Sequence, residues 1–82
     1  MVKVIFDKKF QKILSKIKDN SFKEQIRKQI EKIIHNPEVG KPMINIRKGT
    51  REVYAGSFRL SYEYHQSKET IEFLEIYHKD EQ

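Results

Sequence analysis

"RKGTREVYAGSFRLSYEY", residues 47–64, decides the fold, because here the apolar residues change from helical to alternating spacing. Apolar and polar residues alternate from Phe58 to Tyr64, and Ala-Gly-Ser separates this run from the strand-like run Arg51 to Tyr54. Two strand-like runs around a small glycine-containing turn are typical of a β-hairpin. We therefore predict two antiparallel strands in this part of the chain.

The segments on either side supply two more strands. Residues 2–6 form a short apolar run that ends at Asp7, a good helix N-cap, and predict a buried strand. Residues 70–78 contain no glycine or proline and predict the last strand, after a turn at residues 65–68. Residues 36–42, "NPEVGKP", predict a loop.

Two amphipathic helices lie between the first strand and this loop. The first is indicated by an apolar stripe with i, i+3, i+4, i+7 spacing: Phe10, Ile13, Leu14 and Ile17. A capping-box pattern of Ser21 with Glu24 starts the second helix, which ends at Asn36. The order β-α-α-β-β-β predicts an α+β fold in which a helical hairpin packs on an antiparallel-dominated sheet. Residues 1–82 are expected to form one domain, since a chain of this size has a single small core.

The composition limits the classes of function. The chain has 82 residues, a net charge of +5 and no cysteine, which excludes disulfides and thiolate metal sites and suits a reducing cytoplasm. It has no apolar run of the roughly 20 residues that cross a bilayer, and no membrane partner is expected. The net charge is +6 over residues 1–36, +3 over residues 37–59 and −4 over residues 60–82. A basic body is typical of nucleic-acid binding, and equally of a small lysine-rich protein.

Strand alternation predicts which side chains share a face of the sheet. Phe58, Leu60, Tyr62 and Tyr64 should face the helices, which sends Arg59 to the other face. With Ala-Gly-Ser as the hairpin tip, Val53 would lie opposite Arg59 and Arg51 opposite Ser61, so that Arg51 also faces away from the helices.

The last strand is placed by the turn between Gln66 and Ser67. This turn would set Phe73 opposite Leu60 and Ile71 opposite Tyr62, and would leave Leu74, Ile76 and His78 on the face of Arg59. Tyr77 would share the face of Phe73. Lys79 would lie just past the end of the strand.

Clustered cations on one face predict a phosphate site, because arginine makes bidentate, charge-assisted bonds to phosphate. RNA cleavage without a metal needs little more than such a site. Arg51 and Arg59 would stabilise the phosphorane, His78 would act as acid or base, and Lys79 would act as base if its pKa were lowered. The open alternative is a solvated sheet surface with solubilising arginines.

Other chemistries find no support in the sequence. It contains no glycine-rich phosphate loop, no Ser-His-Asp order and no HExxH motif, and its carboxylates suggest no metal cluster, so neither metal nor cofactor is predicted. His65 falls in a turn and is assigned no role. Tyr54, Tyr62 and Tyr64 are interpreted as core aromatics with solvated hydroxyls.

The segments "KGTREVYAGSFRLSYEY" and "FLEIYHKDEQ" resemble the RelE/ParE superfamily of type II toxins, most closely its RelE/StbE-like mRNA interferases. The resemblance implies a RelE-like fold and a cytoplasmic, ribosome-dependent endoribonuclease that cleaves mRNA and is silenced by a co-expressed antitoxin. The alternatives are a ParE-like inhibitor of DNA gyrase, an inactive antitoxin-binding homologue and a basic RNA-binding module.

The resemblance also assigns residues. Arg59 looks like the arginine that holds the scissile phosphate, and Arg51 like the first basic residue of the preceding strand. Lys79, or His78 beside it, is similar to the basic residue that ends the last strand. Arg47 and Lys48 are expected to add RNA-binding charge. This sequence departs from the family pattern at Val53, where some members are basic, and at its last residue, Gln82, since many members have a C-terminal tyrosine.

Overall fold

A computed structural model describes residues 2–44 and 48–81 and confirms the predicted fold class. Two helices pack on one face of a five-stranded sheet. In chain order the elements are β1 Lys3–Phe6, α1 Lys8–Lys16, α2 Asn20–His35, β2 Lys41–Pro42, β3 Arg51–Ala55, β4 Phe58–His65 and β5 Thr70–His78. The predicted bounds of the last strand are therefore confirmed.

The strands lie in the order β1-β5-β4-β3-β2, with β1 parallel to β5 and the other pairs antiparallel. The two-residue strand β2 lies inside the predicted loop and pairs Lys41 with Glu52 and Pro42 with Arg51. Its brevity explains why the sequence pattern missed it. A short, proline-containing strand suits the edge of a sheet, where one side needs no backbone donors.

Aspartates cap both helices. The Asp7 side chain accepts a hydrogen bond from the Lys9 amide at 2.9 Å, as the sequence predicts. For α2 the predicted capping box is wrong, because Asp19 is the N-cap and accepts from the amides of Ser21 at 2.9 Å and Phe22 at 3.3 Å. The helix thus begins two residues earlier than predicted.

The core lies between the two helices and the sheet. The buried hydrophobic positions are supplied by α1, α2 and the inner faces of β3, β4 and β5: Phe10, Ile26, Ile33, Val53, Ala55, Leu60, Tyr62, Ile71, Phe73 and Ile76. We call the face of the sheet that the helices do not cover the outer face. Within residues 2–44 and 48–81, no helix combines the length and the apolar character needed to span a membrane.

Candidate functional site

Arg59 lies on the outer face, as predicted, at the centre of a group of aromatic and acidic side chains. Its direct cross-strand neighbours are Tyr54 in β3 and Tyr77 in β5. The guanidinium carbon lies 4.7 Å from the centroid of the Tyr54 ring, a cation–π distance. The Arg59 side chain is 22% exposed and Tyr54 is 57% exposed, so both groups can be reached from solvent.

Glu52 is the functional candidate that the sequence analysis missed. Its side chain is only 3% exposed, and its Oε1 lies 3.6 Å from Nη1 of Arg59. The other carboxylate oxygen, Oε2, is buried and has no hydrogen-bond partner among residues 2–44 and 48–81. A buried carboxylate with one unused oxygen is costly for the fold, and such groups concentrate at functional sites.

The hairpin register explains why Glu52 was missed. The turn consists of the two residues Gly56 and Ser57, with Gly56 at a φ of +62° that favours glycine. The predicted three-residue tip was therefore wrong by one residue, and Tyr54 rather than Val53 lies opposite Arg59. A one-residue slip exchanges the two faces of a strand. The signal in the sequence was the Gly-Ser pair, which suits a two-residue turn.

Arg51 consequently lies on the helix-covered face, opposite Tyr62, and not beside Arg59. Its Nη1 donates hydrogen bonds to the carbonyl oxygens of Glu38 at 3.1 Å and Gly40 at 2.9 Å. These bonds hold the segment after α2 against the edge of the sheet. In this geometry Arg51 supports the fold and does not contribute charge to the outer face.

A β-bulge separates His78 from Arg59. The ladder between β4 and β5 steps from Ser61 opposite Glu75 to Tyr62 opposite Phe73, which leaves Leu74 as the extra residue. Ile71 and Phe73 face the helices as predicted, although each lies opposite the residue two positions beyond the expected partner.

Beyond the bulge the predicted faces are reversed. Ile76 and His78 lie on the helix-covered face, and Tyr77 lies on the outer face opposite Arg59. His78 pairs with Phe58, with ring centroids 5.2 Å apart in an edge-to-face arrangement, and its Nδ1 accepts from the Asp80 amide at 3.2 Å. The predicted placement of His78 beside Arg59 is wrong.

The remaining cations lie at different ends of the sheet. Lys79 follows β5 and is exposed, and its amide donates to the carbonyl of Ser57 at 3.0 Å, next to the strand that carries Arg59. Lys48 is exposed in the turn before β3, and Arg47 lies outside the described residues. Arg59 and Lys79 thus lie near each other at the hairpin-turn end of the sheet, where His78 occupies the opposite face.

The arrangement can bind an anion next to a flat ring. The guanidinium of Arg59 offers charge-assisted hydrogen bonds to a phosphate, and the exposed ring of Tyr54 can stack on a base. Glu52 is an oxygen acceptor at the same place, but these side chains do not form a metal-ligand set. Among the described residues, the three whose ligand atoms lie close enough to hold a metal ion are Glu63, His65 and Glu72, farther along the same face.

Solved structures of several toxins have a similar fold. A chain of the intact E. coli RelBE toxin–antitoxin complex aligns with a TM-score of 0.79 and 16% identity, covering 95% of this chain and 96% of that one. The toxin–antitoxin complex RelBE2 from Mycobacterium tuberculosis aligns with a TM-score of 0.79 and 23% identity, covering 95% of this chain and 98% of that one. A YoeB/ParE toxin from Agrobacterium tumefaciens aligns with a TM-score of 0.82 and 15% identity, covering 94% of this chain and 98% of that one. At these identities the likeness shows a shared fold.

The family follows from the sequence itself. The family model for the ParE toxin of the type II toxin–antitoxin system parDE matches residues 4–82, almost the whole chain. No curated protein sequence matches the chain. The chain therefore belongs to the ParE toxin family, within the RelE/ParE superfamily of type II toxins, which confirms the resemblance found in the hairpin and the last strand.

Proposed function

We propose that this toxin is a ribosome-dependent endoribonuclease that cleaves mRNA by attack of the ribose 2′-hydroxyl on the neighbouring phosphate, without a metal. The observation that carries the proposal is Arg59, held over the Tyr54 ring beside the buried carboxylate of Glu52. Such a site offers a positive charge for the phosphate and a surface for a base, and the basic pair His78 and Lys79 at the end of β5 can transfer protons, which together are the requirements of this reaction.

Each group has a separate role. Arg59 binds the scissile phosphate and stabilises the charge that develops on its oxygens. Glu52, whose Oε1 lies 3.6 Å from Nη1 of Arg59, positions the guanidinium from within the protein, while Tyr54 stacks on an adjacent base. Both proton transfers, from the 2′-hydroxyl and to the leaving 5′-oxygen, are assigned to the basic pair that ends β5, His78 and Lys79, of which Lys79 is the more exposed.

Arg51, Arg47 and Lys48 are proposed to act without contacting the scissile phosphate. Arg51 acts on the site through the fold, since its guanidinium is bonded to the carbonyls of Glu38 and Gly40. Lys48, with Arg47, is proposed to contribute long-range attraction for the RNA backbone.

The test is cleavage of mRNA on programmed ribosomes by the wild type and matched variants. Arg59→Ala should lower the cleavage rate about 100- to 1,000-fold, the usual cost of removing one charge-stabilising donor. Glu52→Gln should lower the rate while RNA is still bound. Arg27→Ala removes an exposed arginine that pairs with Glu24 and Glu31 on α2, and should leave the rate unchanged. Intact mRNA with the wild type would overturn the proposal.

Inhibition of DNA gyrase is the second candidate function. It is favoured by the family model, whose description is a ParE toxin, and by the position of Arg51 and His78 on the helix-covered face, away from Arg59. Supercoiling of plasmid DNA by gyrase, measured with the same protein preparation, separates the two candidates. Loss of supercoiling together with intact mRNA would establish the second candidate.

We also propose that a cognate antitoxin binds this toxin and covers the outer face around Arg59 with acidic side chains. The E. coli RelBE and Mycobacterium tuberculosis RelBE2 structures are toxin–antitoxin complexes, and the net charge of this chain is +5. Association with the protein encoded by the adjacent small reading frame should weaken as salt rises. An affinity that stays constant between low and high salt would contradict the charge-based contact.

A further inference from the structure

Three potential metal ligands meet on the outer face near the turn between β4 and β5. Glu63 in β4 and Glu72 in β5 are direct cross-strand partners. His65 is two residues beyond Glu63 and therefore lies on the same face. Its Nε2 lies 3.8 Å from an oxygen of Glu63 and 3.5 Å from an oxygen of Glu72. One ligand atom from each residue lies within 4.8 Å of the other two.

The opposition of the two glutamates needs a compensating charge. Like charges directly opposite each other destabilise an antiparallel pair. In the described part of the chain, neither Glu63 nor Glu72 forms a salt bridge with a lysine or arginine, and the imidazole of His65 is the partner of both. A single imidazole carries at most one positive charge and cannot balance two carboxylates, whereas a divalent cation balances both and uses the imidazole nitrogen as its third ligand.

We propose that Glu63, His65 and Glu72 bind one divalent transition-metal ion of the zinc class. One imidazole nitrogen with two carboxylate oxygens favours such an ion over magnesium or calcium, which prefer oxygen ligands alone. Bond lengths of about 2.0–2.2 Å in a tetrahedral site separate the ligand atoms by roughly 3.3–3.6 Å. The two distances from His65 are close to this range, so that binding mainly requires the two carboxylates to move towards each other.

The surroundings suit an ion that enters from solvent. The three side chains are 32–40% exposed, which leaves room for a water molecule as the fourth ligand. Their backbone positions are set by the strand ladder and by the turn, where Glu69 has a φ of +48° and the Thr70 hydroxyl donates to the Lys68 carbonyl at 2.9 Å. Ligands on paired strands lose little freedom on binding.

The ion would join β4 to β5 and stabilise the hairpin rather than act on RNA. Glu63 is four residues from Arg59 along β4, a separation of about 13 Å at 3.3 Å per residue. Binding to the folded chain alone raises its thermal stability in proportion to the logarithm of the metal concentration. The inference is thus independent of the proposed nuclease activity.

The experiment is calorimetric titration of the chelator-treated full chain with zinc chloride, together with thermal unfolding followed by circular dichroism. We expect one zinc ion per chain and a rise of the melting temperature with zinc. His65→Gln and Glu72→Gln should each weaken zinc binding at least tenfold. His35→Gln and Glu38→Gln change an exposed imidazole and an exposed carboxylate elsewhere and should bind zinc like the wild type.

Three outcomes would overturn the inference. They are the absence of saturable zinc binding by the wild type, unchanged zinc affinity in both cluster variants, and equal losses in the cluster and control variants. If Glu72→Gln does not fold by circular dichroism, Glu63→Gln takes its place in the comparison. Tighter binding of magnesium than of zinc would also contradict the assignment.

Discussion

Replacing Tyr62 by phenylalanine tests how the segment after α2 is held to the sheet. The Tyr62 ring is fully buried, and its hydroxyl donates to the carbonyl of Pro37 at 2.7 Å and accepts from the amide of Gly40 at 2.8 Å. Gly40 is itself buried, and a Cβ at this position would lie 2.6 Å from the tyrosine hydroxyl. The segment therefore packs against Tyr62 too closely for a water molecule to replace the hydroxyl.

The expected loss of stability follows from these two bonds. Phenylalanine keeps the buried ring but leaves the Gly40 amide and the Pro37 carbonyl without this partner. One buried group without a partner costs about 1–3 kcal/mol, and we expect Tyr62→Phe to lower the free energy of unfolding by about 2 kcal/mol. For a domain of this size that corresponds to a fall of roughly 8–16 °C in melting temperature.

The same residue predicts a pH dependence. Burial raises the pKa of the Tyr62 hydroxyl above its ordinary value of 10.0, against the smaller lowering effects of the Gly40 amide and the Arg51 charge. The folded state thus holds this proton more tightly than the unfolded chain. The stability that the protonated Tyr62 hydroxyl contributes is fully present below pH 10 and is lost as pH rises through the pKa of the folded state. The difference between wild type and Tyr62→Phe should therefore shrink above pH 10.

Urea unfolding followed by circular dichroism measures both effects. Tyr54→Phe is the matched control, because the Tyr54 side chain is 57% exposed and its substitution should change the free energy of unfolding by less than about 0.5 kcal/mol. The reasoning would be refuted if Tyr62→Phe were as stable as Tyr54→Phe at pH 7. Parallel losses of stability above pH 10 in wild type and Tyr62→Phe would refute the pKa argument.

Three further substitutions test the helices. Asp19→Ala removes the N-cap of α2 and should cost about 1 kcal/mol in urea unfolding, whereas Ser21→Ala should have little effect, since Asp19 is the residue that caps the helix. Equal losses of unfolding free energy in Asp19→Ala and Ser21→Ala would instead support the capping box that the sequence predicts at Ser21. Phe10→Ala empties a fully buried position against Phe73 and should cost about 3–5 kcal/mol, checked by the fall in melting temperature; a loss below 1 kcal/mol would contradict its place in the core.

Most of the fold could be predicted from the spacing of apolar residues. The stripe from Phe10 to Ile17 marks α1, and the alternation from Phe58 to Tyr64 identifies the face of β4 that packs on the helices. These patterns are reliable because burial of apolar surface is the largest favourable term, and it acts on each element separately. The position of Arg59 on the outer face follows from the same alternation.

The composition of the site depended on how the strands pair. Sequence alone determined that Arg59 faces away from the helices, and the hairpin motif indicated the toxin family. Only the tertiary structure decided that Glu52 and Tyr54 accompany Arg59, because a two-residue turn sets the register. A single bulged residue, Leu74, likewise decided that Tyr77, and not His78, shares the outer face with Arg59. The physical reason is that strand periodicity is two, so one residue gained or lost at a turn or bulge exchanges the two faces.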